Sequence, residues 1–158
     1  MPQYSSTVNA TSNATAGTED TFQELSGGNQ RIKKVVVRLG NGASTAGVDN
    51  DWKVRLVRKT VAGTGGVAGT NVRADQLDRT SGATNTIKTD GTVFNAGTIG
   101  DIIDTQVKNG RETYLFIARD QYDYIGLHPT LASGGMFAIM ISSAVASQPF
   151  QVTVFWEE

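Results

Sequence analysis

The sequence predicts an all-β domain, an antiparallel β-sandwich or barrel of about eight to ten short strands. Short runs of alternating apolar and polar residues recur along the chain, bounded by Gly, Asn, Ser or Pro. No stretch shows a convincing amphipathic helix. Charged residues make up 18% and apolar ones 39%, and the remainder is rich in Thr, Ser, Asn and Gly (18 residues). That mixture suits short strands and many turns rather than helices. At 158 residues the chain fits one domain with a real core.

The first twenty residues are small, polar and nearly uncharged until Glu19, with Tyr4 and Val8 as their sizeable apolar anchors. Alone, such a segment cannot bury enough apolar area to offset its ordering entropy. Two readings remain for residues 1–20, a disordered terminus or an extended N-terminal arm on a neighbouring subunit, and the arm is expected, with Tyr4 and Val8 at the contact. Residues 21–158 are expected to form the sandwich.

Thr21 to Leu25 is a short strand candidate, closed by Gly27-Gly28-Asn29. Arg31 to Leu39 alternates clearly, with Val35, Val37 and Leu39 on one face and Lys34, Val36 and Arg38 on the other. Gly40-Asn41-Gly42 opens a loop. Trp52, Val54 and Leu56 alternate with Lys53 and Arg55, a half-buried strand with a basic outer face. VAGTGGVAGT, residues 61–70, reads as a flexible connector. Val72 to Leu77 and Asn85 to Lys88 are weaker strands.

Asp90-Gly91 is a tight hairpin signal, and Asn109-Gly110 a stronger one, because a type I′ turn needs positive φ at both positions. Thr98 to Val107 between them reads as a strand, with a short helical turn as the alternative. Tyr114 to Ile117 and Met136 to Ser142 are apolar on both faces, as strands buried from two sides would be. Tyr122 to Leu127 lies between them. The closing stretch, Gln148 to Glu158, places Phe150, Val152, Val154 and Trp156 on one side and Gln151, Thr153, Phe155 and Glu157 on the other. Pro149 is tolerated at its start because the first residue need not donate to the ladder.

Net charge is −1, which gives no global attraction to nucleic acid or membrane. Residues 31–88 are basic, with eleven Lys/Arg against four Asp/Glu, and both flanks are acidic. Cysteine is absent, which excludes disulfides and thiolate metal sites. No basic-then-apolar leader is visible, and the longest apolar region, Met136 to Ala146, is too short to span a bilayer. A soluble protein is expected.

No residue set demands a chemistry. Gly63-Thr64-Gly65-Gly66-Val67-Ala68 matches G-x-G-x-x-A, but a dinucleotide site needs a helix to start there, and Gly69-Thr70-Asn71-Val72 is a poor helix start. His128 is the single histidine. A triad of His128, Ser133 and Asp123 lacks a nucleophile elbow and draws on residues too close in sequence. Asp49-Asn50-Asp51 and Asp120-Gln121-Tyr122-Asp123 lack the spacing of a calcium loop and read as turn formers. Asp101 and Asp104 form a carboxylate pair with no cleft implied. No catalytic residue, metal or cofactor is expected.

Two binding surfaces come from the residue pattern. Trp52, Tyr122 and Tyr124 are candidates for stacking on sugar rings, the basis of a glycan- or receptor-binding alternative. Lys33, Lys34, Arg38, Lys53, Arg55, Arg58 and Lys59 could form a phosphate-binding strip, but no aromatic platform is interleaved and the acidic ends largely cancel the charge, so a salt-bridging subunit surface fits at least as well.

Val54 to Gly66 (VRLVRKTVAGTGG), Tyr124 to Leu127 (YIGL), Val152 to Glu158 (VTVFWEE) and the polar Thr21 to Leu25 (TFQEL) together resemble small structural proteins of tailed bacteriophages. The resemblance implies a jelly-roll-like sandwich and a head-associated decoration or cement role. It implies as partners the major capsid protein and copies of the chain itself, arranged by analogy as a homotrimer. It places the protein on the capsid exterior, and in the host cytoplasm during assembly. The shell protein itself is the alternative within that setting. The residues expected at subunit contacts are Tyr4, Val8, Lys33, Lys34, Arg38, Arg55, Arg58 and Phe155.

Overall fold

The computed structural model describes residues 2–27, 29–40, 50–73, 84–88, 94, 97–119, 124–127 and 135–158. Among them the chain forms twelve strands and no helix. These are β1 (Gln3–Thr11), β2 (Asp20–Ser26), β3 (Gln30–Leu39), β4 (Asp51–Val61), β5 (Val67–Ala68), β6 (Val72–Arg73), β7 (Thr84–Ile87), β8 (Thr98–Asn109), β9 (Thr113–Ile117), β10 (Ile125–Leu127), β11 (Met136–Ser143) and β12 (Pro149–Glu157). The expected eight to ten strands are exceeded because short strands form between β4 and β8.

The strands make two antiparallel sheets. The first has the order β10-β3-β12-β1-β6, with β9 also paired to β3, and the second β5-β7-β2-β11-β4-β8. Setting aside β5, β6 and β7, the pairings are nested. β1 pairs with β12, β2 with β11, β3 with β9 and β10, and β4 with β8. Successive members of this series lie in alternate sheets, which is the order of a jelly roll.

The core fills the space between the sheets. Tyr4, Val8, Val35, Val37, Val152, Val154 and Trp156 enter from the first sheet, and Phe22, Leu25, Trp52, Val54, Leu56, Phe137, Ile139 and Ile141 from the second. Phe150 meets Phe22 and Trp52 edge-on, at centroid distances of 4.4 and 5.8 Å, and Tyr4 stacks on Trp156 at 5.8 Å. Such aromatic pairs add about 1 kcal/mol each beyond area burial. The closing strand is thus central, with its four apolar residues inward as the alternation requires.

Four expectations change. Residues 3–11 are no arm: β1 pairs with β12 from Gln3↔Glu157 to Thr11↔Pro149, and Tyr4 and Val8 are core. The polar residues that suggested an arm, Ser5, Thr7 and Asn9, occupy the outward positions of an alternating strand. β12 takes up the backbone donors and acceptors along one edge of β1, and β6 some of those along the other, so the ladder helps to order the segment beside its inward side chains.

Asn109-Gly110 makes no hairpin, since β8 and β9 belong to different sheets and neither residue has positive φ. The Asn109 side chain accepts from the Arg111 N–H at 3.2 Å, an Asx turn that carries the chain from one sheet to the other.

Tyr114 to Ile117 is buried on one side only, because β9 is an edge strand with Leu115 and Ile117 outward. Finally, the glycine-rich connector is a built element. Val67 and Ala68 pair with β7, and a Cβ at Gly69 would lie 2.5 Å from Asn85 Nδ2. Asn85 donates to Ser6 Oγ (2.7 Å) and Asn71 Oδ1 (3.0 Å) and accepts from Gln23 Nε2 (3.1 Å), tying β7 to both sheets. The Asp90-Gly91 turn lies outside the described residues.

Candidate interaction surface

The outward positions of the first sheet form transverse rows that follow from the registers. One row runs Ile117, Lys34, Phe155, Ser5, Val72 across β9, β3, β12, β1 and β6. The next runs Leu115, Val36, Thr153, Thr7, and the third Thr113, Arg38, Gln151, Asn9. Phe155, Leu115 and Ile117 are 36, 48 and 50% exposed. The face is therefore apolar toward β9 and polar toward β1.

The polar half is pre-arranged by hydrogen bonds. Arg38 Nη1 donates to Gln151 Oε1 at 2.9 Å, and Gln151 Nε2 donates to Asn9 Oδ1 at 2.9 Å. Thr7 and Thr153 hydroxyls meet at 3.0 Å. Lys34 Nζ sits 5.4 Å from the Phe155 ring centroid, so a cation covers part of the aromatic face.

A register shift between Phe155 and Trp156 leaves Lys33 as the extra residue of β3. This bulge turns Lys33 toward a hollow of about 180 Å³ that it lines with Gln3, Tyr4, Phe155, Trp156 and Glu157. Bulges re-aim side chains in this way at sheet ends.

Of the eight residues expected at subunit contacts, Lys33, Lys34, Arg38 and Phe155 are brought together here. Of the other four, Tyr4 helps to wall that hollow but is almost wholly buried, and the rest are placed elsewhere. Tyr4 and Val8 are core. Arg55 lies on the other sheet and donates to Glu19 through Nε at 2.9 Å to both carboxylate oxygens, as well as through Nη2. Arg58 reaches across the end of the sandwich to the Gly126 carbonyl at 2.7 Å, joining β4 to β10. Glu19 and Glu24 near the N-terminus thus absorb Arg55 and Lys59 within the molecule, and Asp20 pairs with Lys88. Of the cations of β4, Arg55, Arg58 and Lys59 are thus structural, while Lys53 stands half-exposed 3.9 Å from Glu19. Those of β3 face outward.

Of the aromatic candidates for sugar stacking, the two that are described, Trp52 and Tyr124, do not share a surface. Trp52 is core. Arg31 and Lys33 stand over the Tyr124 ring, at 4.9 and 5.8 Å from its centroid. Tyr122 lies outside the described residues, as do His128, Ser133, Asp123, Asp49 and Asp120.

Asp104 accepts from Tyr114 Oη at 2.7 Å and from Gln106 Nε2 at 3.1 Å. Burial, reinforced by Asp104, pushes the Tyr114 phenol well above its ordinary value. Among the described residues no group of three or more His, Asp or Glu is placed to hold a metal ion.

Leu115, Ile117 and Val72 are the outward residues that sequence reading missed. Their signal was indirect. They pair with Val36, Lys34 and Ser5, which lie on wet faces, and neighbours opposite one another in a sheet share a side. No protein-family model matches the chain, and no curated protein matches it in sequence.

Proposed function

We propose that this chain is a non-enzymatic structural protein of a virus particle, which binds and stabilises the capsid surface through contacts between subunits. The observation that carries the reading is the outer face of the first sheet, uncovered among the described residues, where Phe155, Leu115 and Ile117 lie beside Lys34 and Arg38. An apolar cluster with flanking cations on a rigid sheet suits a partner surface that offers apolar side chains and carboxylates. The partners are the major capsid protein and further copies of this chain.

Jelly rolls serve viral capsids, lectins and small-molecule-binding barrels alike, and fold alone does not choose among them. Two features favour the structural role. The interior is occupied by Trp52, Trp156, Tyr114, Phe22 and Phe150, which supports a surface function over a central ligand chamber. Burial of Trp52 also removes one of the aromatics on which the glycan-binding alternative was built.

Purified protein mixed with cognate capsids stripped of it should co-sediment with them, and Phe155→Ser should release it. A chain that stays monomeric at high concentration and binds no capsid would overturn the reading. The shell protein itself is the second reading within the virion, and the copy number of this chain per particle separates the two.

A further inference from the structure

The second sheet ends at β8, a strand of twelve residues that pairs with β4 on one side and with no strand on the other among the described residues. A long free edge offers a row of backbone donors and acceptors to any strand that fits. Most natural edges are short or blocked. This one is long, and it carries two exposed apolar side chains, Ile102 at 54% and Val107 at 64%.

In a regular strand, residues five apart point to opposite faces. Here the register with β4 shifts between Leu56↔Asp104 and Val57↔Ile102, so Ile103 is an extra residue. The bulge brings Ile102, opposite Val57, and Val107, opposite Lys53, to the same outer face of the second sheet.

We propose that β8 pairs antiparallel with β8 of a second copy across a two-fold axis at Thr105, fusing the two second sheets into one. The strand is self-complementary in this register. Thr105 lies opposite its own copy, Asp104 opposite Gln106, and Ile102 opposite Val107. Asp101 then meets Lys108. Each cross-strand pair off the axis occurs twice, as an isologous contact requires, and the Thr105 pair on the axis occurs once. The charges that would repel an unrelated strand become attractive with a second copy. This contact needs only the free edge and its sequence, so it stands or falls apart from the capsid reading.

The absence of cysteine from the chain makes the test clean. Directly opposed residues of an antiparallel pair have Cα atoms about 4.5–5.5 Å apart, within disulfide reach. Thr105→Cys should therefore cross-link to a covalent dimer under mild oxidation, while Thr153→Cys on the first sheet should not. By analytical ultracentrifugation Asp101→Lys and Lys108→Asp should each weaken self-association by about tenfold, since each change converts two attractive pairs to repulsive ones. The double variant should restore it. All four substitutions lie at strand positions outside the core cluster, and unchanged far-UV circular dichroism would confirm that the fold is kept. Three results would overturn the proposal: a monomer, cross-linking of the Thr153→Cys variant but not of Thr105→Cys, or a stable trimer indifferent to both charge reversals.

Discussion

The two outer faces of the sandwich are treated in opposite ways. On the second sheet, Val57, Ala138 and Met140 point away from the main core yet are buried, with Ile99 packed against them. Lys59 stands on the same face with no exposure at all, its Nζ 2.7 Å from Glu24 Oε2 and 3.2 Å from Thr21 Oγ1. The segment between β4 and β8 supplies cover, since Gly63 N–H donates to Glu24 at 3.0 Å and Lys59 lies 5.4 Å from the Phe94 ring centroid. Among the described residues the first sheet has no such cover over Phe155, Leu115 and Ile117. Hydropathy alone would have placed Lys59 outside and Leu115 inside. Where the inserted segment lies decides instead, and it leaves the outer side chains of the first sheet exposed.

The largest effect should come from undoing the covered face. Glu24→Gln keeps the shape but strands the Lys59 ammonium in a buried site, at a cost of about 3–5 kcal/mol. Urea unfolding should show the midpoint fall accordingly. Replacing both together, Lys59→Met with Glu24→Leu, should recover most of the loss, because a buried ion pair often stabilises no more than apolar residues of similar volume. A small loss for Glu24→Gln alone would mean that water reaches this face, and the contrast between the sheets would shrink.

The next effect belongs to the open face. Phe155→Ser should cost about 1 kcal/mol of stability, since the ring is already partly in water, yet weaken partner binding by about 2 kcal/mol, roughly 30-fold. Binding of the variant to stripped capsids, measured beside its melting curve, reads both at once. If the isolated subunit unfolds instead, Phe155 is a core residue and the uncovered face loses its best anchor.

Much of this architecture was legible in the sequence. Alternation in Arg31 to Leu39 and in Gln148 to Glu158 assigned the inward residues of β3 and β12, and the doubly apolar Met136 to Ser142 became β11, buried from both sides. Phe155 was likewise legible as outward. What failed was everything set by a neighbour rather than by local pattern. Tyr4 and Val8 looked like anchors of an arm because the partner of their strand, β12, lies at the other end of the chain. Arg55 and Arg58 looked like surface cations because Glu19 and the Gly126 carbonyl are distant in sequence. Asn109-Gly110 carried a hairpin's residues into a turn between sheets. Period-two patterns report a face, and long-range pairing decides what that face meets.

The smallest effect tests whether the two faces belong to one rigid body. Tyr114 enters from the first sheet and donates to Asp104 of the second, so the bond spans the joint between them. Tyr114→Phe should cost about 1 kcal/mol near pH 8, the worth of one hydrogen bond. Its pH dependence is the sharper reading. Burial holds the phenol protonated in the folded state beyond the ordinary value of about 10. The unfolded chain loses that proton first, so above pH 10 it binds fewer protons than the folded one and stability falls as pH rises, by up to about 1.4 kcal/mol per unit. The contribution is whole below pH 10 and is lost toward the raised folded value. Phenylalanine has nothing to ionise. The stability gap between wild type and Tyr114→Phe should therefore narrow above pH 10 and reverse about one unit higher. A gap that stays constant from about pH 8 to 11 would mean that the phenol ionises as readily in the folded protein as in the unfolded chain, and that water enters between the two sheets at this edge.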